Sequence, residues 1–225
     1  MPCAASCVVI HGAAVATILC PDSASTPLSS SPHSTNRHTT SSRMDFHTHH
    51  LEAPAGQAII NLPQEWMEQP SLFRPRPGAL YSAGIHPWWT IDEQLTATLF
   101  NRLPTILAHP QVVALGECGM DLLRGAAPEV QEEWLVRQLL LAEHLHLPVT
   151  LHVVRAFDRM LRLHKQLQPT VKWTIHGFRG RPTLARQLLD AGFDLSFGQR
   201  RNEESYALTP PDRRHEETDE DYEVV

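Results

Sequence analysis

Six short apolar runs separated by longer patterned segments constrain the fold of this chain more than any other feature. They are AIINL (58–62), ALYSAGIH (79–86), VVALGE (112–117), PVTLHVV (148–154), VKWTIH (171–176) and FDLSF (193–197). Their length and β-branched content are those of strands covered on both faces, as in a parallel sheet. Helical patterns fall between most of them. In PEVQEEWLVRQLLLAEHLHL, Pro128 suits a helix start, and Val130, Trp134, Leu141 and Leu145 recur on one face. RPTLARQLLDAG begins a second helix at Pro182, carries Leu184 and Leu188 on one face and stops at Gly192, a natural C-cap. MDFHTH at the front and HEETDE at the back raise the candidate strands to eight. Strand-then-helix order with right-handed crossovers predicts an α/β fold, and eight strands predict a (β/α)8 TIM-like barrel; a doubly wound open sheet is the alternative.

The ends of these runs carry the chemistry. His47 and His49 close the first, His86 the third, Glu117 the fourth, His152 the fifth and His176 the sixth, and Asp219 lies in the eighth. In a strand, alternate side chains share a face, so His47 and His49 project together while Phe46 and Thr48 face the other way. In a barrel of this kind the carboxyl ends of the strands gather at one mouth. A lone histidine there is more often a hydrogen-bonded core residue than a ligand. Five or six polar residues at one topological position argue for a site, and Glu117 after a buried apolar run would be costly unpaired. Histidines 109, 144, 146 and 164 fall in helical or connecting segments and read as solvated.

Composition bounds the rest. At 225 residues, 42% of them hydrophobic, the chain has material for one core plus a tail. Residues 22–43 are rich in Ser, Thr and Pro without apolar periodicity, and residues 1–43 are expected to be a disordered extension upstream of a start at Met44. CVVIHGAAVATILC is interrupted by His11 and Gly12 and is too short to span a bilayer, so no membrane association is expected. The four cysteines lack metal-type spacing, and a reducing, cytoplasmic setting is the simpler expectation. The chain carries a formal charge of −6, much of it in residues 212–225, and residues 44–211 carry −2. Tight duplex binding through Lys and Arg is therefore not expected.

DFHTHH, GIHP, GECGMD, LHVVR, IHGF and EETDE occur in the order found in TatD-type metal-dependent deoxyribonucleases, a group of amidohydrolase-like TIM barrels, and the chain resembles that family from Met44 to about Glu220. The resemblance implies two divalent ions, Mg, Mn or Zn: one on His47, His49, Glu117 and Asp219, the other on Glu117, His152 and His176, with Glu117 bridging. It implies that His86 contacts a phosphate and that Asp121 and Arg155 act on the substrate side. Mixed imidazole and carboxylate donors suit such ions, and paired ions can serve in-line phosphoryl displacement. Asp219 is then the group to orient the attacking water or take its proton, with Glu117 as its catalytic partner. The implied reaction is 3'-5' exonuclease-type cleavage of DNA, with single-stranded or frayed ends as substrate.

Several residues depart from the family pattern. RRHEETD is polar where an apolar eighth strand is usual, and no closing helix follows, so the barrel is expected to be incomplete at that end. Met44, Phe46, Phe193 and Phe197 would then be poorly covered. LHVVR places its arginine one residue late, and no clear helix follows either of the first two strands. Two other readings stay open: a hydrolase of a small ester or lactone, which would normally show a lysine at the bridging position, and a truncated, catalytically impaired metal-binding protein.

Overall fold

The computed structural model describes residues 44–219, so the expected disordered extension, residues 1–43, lies outside the described residues. All eight expected strands form: β1 (Asp45–Thr48), β2 (Ala58–Asn61), β3 (Leu80–Ala83), β4 (Val112–Asp121), β5 (Val149–Val154), β6 (Trp173–Ile175), β7 (Asp194–Phe197) and β8 (Arg214–Glu216). They pair in parallel, in sequence order, into a closed barrel whose seam is the pairing of Asp45 with Glu216. The helices are α1 (Gln64–Glu68), α2 (Glu93–Leu107), α3 (Pro128–Leu145), α4 (Phe157–Leu167), α5 (Pro182–Ala191) and α6 (Glu203–Leu208). None among the described residues is long and apolar enough to cross a membrane. No helix follows β1, where turns lead into β2, and the one after β2 is short, as the lean sequence there implies.

Three expectations change. First, α3 turns a different face inward: Gln131, Trp134, Leu135, Gln138, Leu139 and Ala142 are buried, while Leu145 is exposed and Val130 and Leu141 are half-buried. Two glutamines sit on the inner stripe because each finds backbone partners there, which apolar periodicity cannot reveal. Second, Phe193 and Phe197 are almost fully buried. Phe193 packs on the rings of His164 and Trp173, and Phe197 on those of Phe178 and Tyr206. Met44 is exposed as expected, and Phe46 is half-buried beneath the ring of His215, 4.4 Å away. Third, His164 is not solvated but belongs to that aromatic cluster, where burial, then the charge of Arg213, pushes its pKa down. His109 likewise packs against Phe73 and accepts a hydrogen bond from the Gln111 N–H, whereas His144 and His146 are exposed.

The polar eighth strand finds its partners in charge. Asp194, buried at the start of β7, lies 2.9 Å from Arg213 Nε, 3.6 Å from Lys172 Nζ and 3.6 Å from His215 Nε2. Arg213 also donates to the Leu189 and Phe193 carbonyls, and Arg214 covers the Tyr206 ring at 4.3 Å. A strand too polar for an apolar core thus closes the barrel through ion pairs and cation–π contacts, with Asp194 as the shared counter-charge.

Burial works against the charge of Asp194, but His215, Arg213 and Lys172 outweigh it and hold its carboxyl below the usual range. Its folded pKa is therefore lower than its unfolded one. The resulting stabilisation is complete above pH ~4 and is lost as pH falls through the folded value. Asp194→Asn should lower neutral-pH stability by about 1.5–3 kcal/mol, the range for hydrogen bonds to charged groups. Urea melts at pH 7 and pH 3 test this: the gap between wild type and variant should narrow at pH 3, and equal stability at pH 7 would contradict the assignment.

Candidate metal and catalytic centre

The expected site residues converge at the mouth where the strands end. His47 lies in β1 and His49 just beyond it, with ring centroids 5.0 Å apart, so the alternation read from DFHTH holds. His86 and His176 follow β3 and β6, His152 lies within β5, and Asp219 lies in the segment after β8. Glu117 differs from expectation: β4 runs on to Asp121, so Glu117 occupies the middle of its strand and is almost fully buried.

Its two carboxylate oxygens face two different groups. Glu117 Oε2 is 3.5 Å from His47 Nε2 and 3.5 Å from His49 Nε2, which in turn is 3.5 Å from Asp219 Oδ1. Glu117 Oε1 is 2.7 Å from His176 Nε2, 2.8 Å from His152 Nδ1 and 3.3 Å from His86 Nε2. Nitrogen and oxygen donors within this range of one another form a donor set able to hold divalent ions. Both ring nitrogens of buried His47 lack a hydrogen-bond partner, as do His176 Nδ1 and Glu217 Oε2. Buried polar atoms without partners are costly, and cations held among them would remove that cost.

Charge in the cluster is strongly coupled. Burial alone would raise the Glu117 pKa, yet His176, His86 and His152 hold it well below the usual carboxylate range. Burial also opposes charge on His176, but Glu117 and then Glu217 drive its pKa well up. His152 is raised against burial by Asp121 and Glu117, whereas at His86 burial prevails and the pKa falls. A bound cation would take the place of the protons held here, since imidazole must be neutral to ligate.

Asp121, the expected substrate-side group, accepts from Trp88 Nε1 at 2.7 Å and lies 3.4 Å from His152 Nε2. Burial resists its ionisation, but His152, Trp88 and the Leu123 N–H bring its carboxyl down to about 2. Arg155 follows β5 with φ +55°, exposed, on the wall of a cleft of roughly 690 Å³ that also takes in His49, His86, Trp88 and Asp219. Arg179 lines the same cleft, while Arg201 pairs with Glu203 and covers the Tyr206 ring.

Sequence reasoning overlooked the groups that hold these residues in place. Asn61 Oδ1 accepts the Glu117 N–H at 2.8 Å and the Ser82 hydroxyl at 3.2 Å. Glu217 accepts the Gly177 N–H at 2.6 Å, anchoring the residue after His176, and its charge lies 3.7 Å from His176 Nδ1. The acid pair in HEETD was a signal for Glu217; nothing in NLP marked Asn61. Closeness of β4 to β5 depends on Gly119, opposite His152, where an added Cβ would lie 1.9 Å from the His152 carbonyl oxygen.

Comparison with known proteins identifies the family and the fold. The family model described as TatD related DNase matches residues 44–222. A protein of Erwinia billingiae named 3'-5' ssDNA/RNA exonuclease TatD is 35% identical over 173 residues, covering 70% of this chain and 64% of the relative. One of the same name from Klebsiella pneumoniae is 34% identical over 134 residues, covering 59% of this chain and 50% of the relative. The chain thus spans between half and two thirds of these relatives' length. Among solved structures, a TatD homolog from Escherichia coli superposes with a TM-score of 0.62 at 23% identity, covering 79% of each chain.

Gly119→Ala should separate β4 from β5 and cost more than about 4 kcal/mol, the exceptional range for single substitutions. Gly78→Ala is the control: its φ is also left-handed, +74°, but an added Cβ would meet only Ala55 at 3.7 Å. That variant should cost about 1–2 kcal/mol. Denaturant melts decide it, and equal losses would mean that the β4–β5 approach is not set by Gly119.

Proposed function

Because the chain belongs to the TatD related DNase family, we propose that it is a metal-dependent nuclease that hydrolyses phosphodiester bonds at the ends of single-stranded or frayed DNA. The observation that carries this reading is Glu117, whose two buried oxygens each address a separate group of imidazole and carboxylate donors. His47, His49, Glu117 and Asp219 would hold one divalent ion, and Glu117, His152 and His176 a second. Such ions, Mg, Mn or Zn, supply a lowered pKa for water and positive charge beside the scissile phosphate.

The chain's own groups then have distinct tasks. Asp219, partly exposed at the cleft, orients the attacking water and receives its proton on a carboxylate oxygen. His86, lining the cleft 3.3 Å from Glu117, contacts a phosphate oxygen, and Arg155 adds a cation in the same cleft. Trp88 and Phe157, both partly exposed, give the cleft aromatic surface able to accept an unpaired base. With residues 44–211 at net charge −2, the protein has few cations for tracking long duplexes, which favours strand ends. Relatives named as single-strand DNA/RNA exonucleases support the same substrate class.

With Mg²⁺ or Mn²⁺ the protein should shorten an end-labelled oligonucleotide, and EDTA should abolish the activity. Asp219→Asn should lower kcat at least ~100-fold, the lower range for a lost general base, while sparing oligonucleotide affinity. Glu117→Ala should lose more bound metal than His86→Ala, which should chiefly slow turnover. Gel assays and atomic emission test these outcomes. An oligonucleotide left intact by the fully metallated protein would overturn the reading.

A further inference from the structure

We infer that Gln131 and Gln138 of α3 are positioning residues that hold the substrate-side wall of the cleft without belonging to the metal-ligating set. The inference rests on the nuclease reading for its effect on turnover, but the geometry behind it stands alone. β4 extends past the end of β3: Ala83 pairs with Leu115, and from Cys118 to Asp121 the strand is paired on its β5 side. Past β3, backbone groups on the other side need partners from elsewhere.

Gln131 supplies them at Asp121, the end of β4, and Gln138 does the same for Ile85, just past the end of β3. Gln138 Oε1 accepts the Ile85 N–H at 2.7 Å, and its Nε2 donates to the Ile85 carbonyl at 3.2 Å. Gln131 Oε1 accepts the Asp121 N–H at 2.8 Å, and its Nε2 donates to the carbonyls of Asp121, Arg124 and Ala126 at 3.0, 2.8 and 2.8 Å. Each amide therefore grips both backbone groups of one residue, as an adjacent strand would. Both side chains are 1% exposed, so water cannot readily substitute for them.

What hangs from these clamps is a single wall. Ile85 precedes His86, and Asp121 accepts the Trp88 indole N–H at 2.7 Å. Arg124, in the loop gathered by Gln131, covers the Trp88 ring at 4.4 Å. That loop lies hard against the segment after His86, since a Cβ on Gly125 would come within 2.4 Å of the Pro87 carbonyl oxygen. The groups assigned to metal have other supports: His47 and His152 lie in β1 and β5, and Glu117 is held through Asn61.

The test uses Gln131→Leu and Gln138→Leu in the full chain, with Leu139→Ala as a control for destabilisation of the same helix. Three readings are taken: Mn²⁺ bound per chain, kcat and KM on fluorescein-labelled oligothymidylate, and the Trp88 indole N–H resonance, assigned with Trp88→Phe. In Gln131→Leu the indole signal should shift and exchange faster with solvent. Both glutamine variants should keep wild-type metal content and lose about 10–100-fold in kcat, the scale of a 1 Å misplacement. Leu139→Ala should change stability without either effect. Metal lost in parallel with turnover, an unmoved Trp88 signal in Gln131→Leu, or an equal kcat loss in Leu139→Ala would overturn the inference. Should wild type show no nuclease activity, the proposed function fails, while the metal and indole readings still decide the clamp. A variant that does not fold is replaced by Gln→Met at the same position, read by the same three outcomes.

Discussion

A carboxylate carried to the middle of a barrel must be matched by positive charge, and the mouth of this protein is arranged around that requirement at Glu117. Its pKa stays low despite burial because His176, His86 and His152 gather at one of its oxygens, while His47 and His49 approach the other. Those imidazoles arrive on β1 and β5 and beyond the ends of β3 and β6, so the site exists only when the barrel closes. Closure and chemistry therefore share one constraint: strands must approach closely enough for distant residues to meet. Gly119 permits the tightest approach, and the Asp194 network draws the final polar strand into place.

Around that centre the supports divide. The proposed metal-ligating groups are held by the strands and by polar neighbours such as Asn61 and Glu217. The wall built from His86, Trp88, Asp121 and Arg124 is held by one helix through two buried amides. The two parts meet where His86 approaches Glu117 and Asp121 approaches His152. On the proposed reading, a chain of net charge −6 would meet a nucleic-acid strand through cations held at the centre rather than through a basic surface.

Much of this was legible in the sequence because strand periodicity is local. Alternation in DFHTH placed His47 and His49 together, and the ends of the apolar runs located His86, His152 and His176. The hidden features depend on partners far along the chain. Gln131 and Gln138 read as polar interruptions of α3 until the backbone of Ile85 and Asp121 appears beside them. His164 reads as a solvated helical residue until Trp173 and Phe193 enclose it. RRHEETD reads as unsuitable for a barrel strand because its counter-charge, Asp194, belongs to another run. Hydropathy registers none of these pairings, since each depends on which polar group lies opposite.

The central claim is that Glu117 addresses two ion positions, one through each oxygen. Anomalous diffraction at the manganese edge, from crystals grown with Mn²⁺, tests it most directly. Two peaks should flank the Glu117 carboxylate, one among His47, His49 and Asp219 and the other among His152 and His176. A single peak, or peaks that leave either Glu117 oxygen without an ion, would contradict the account.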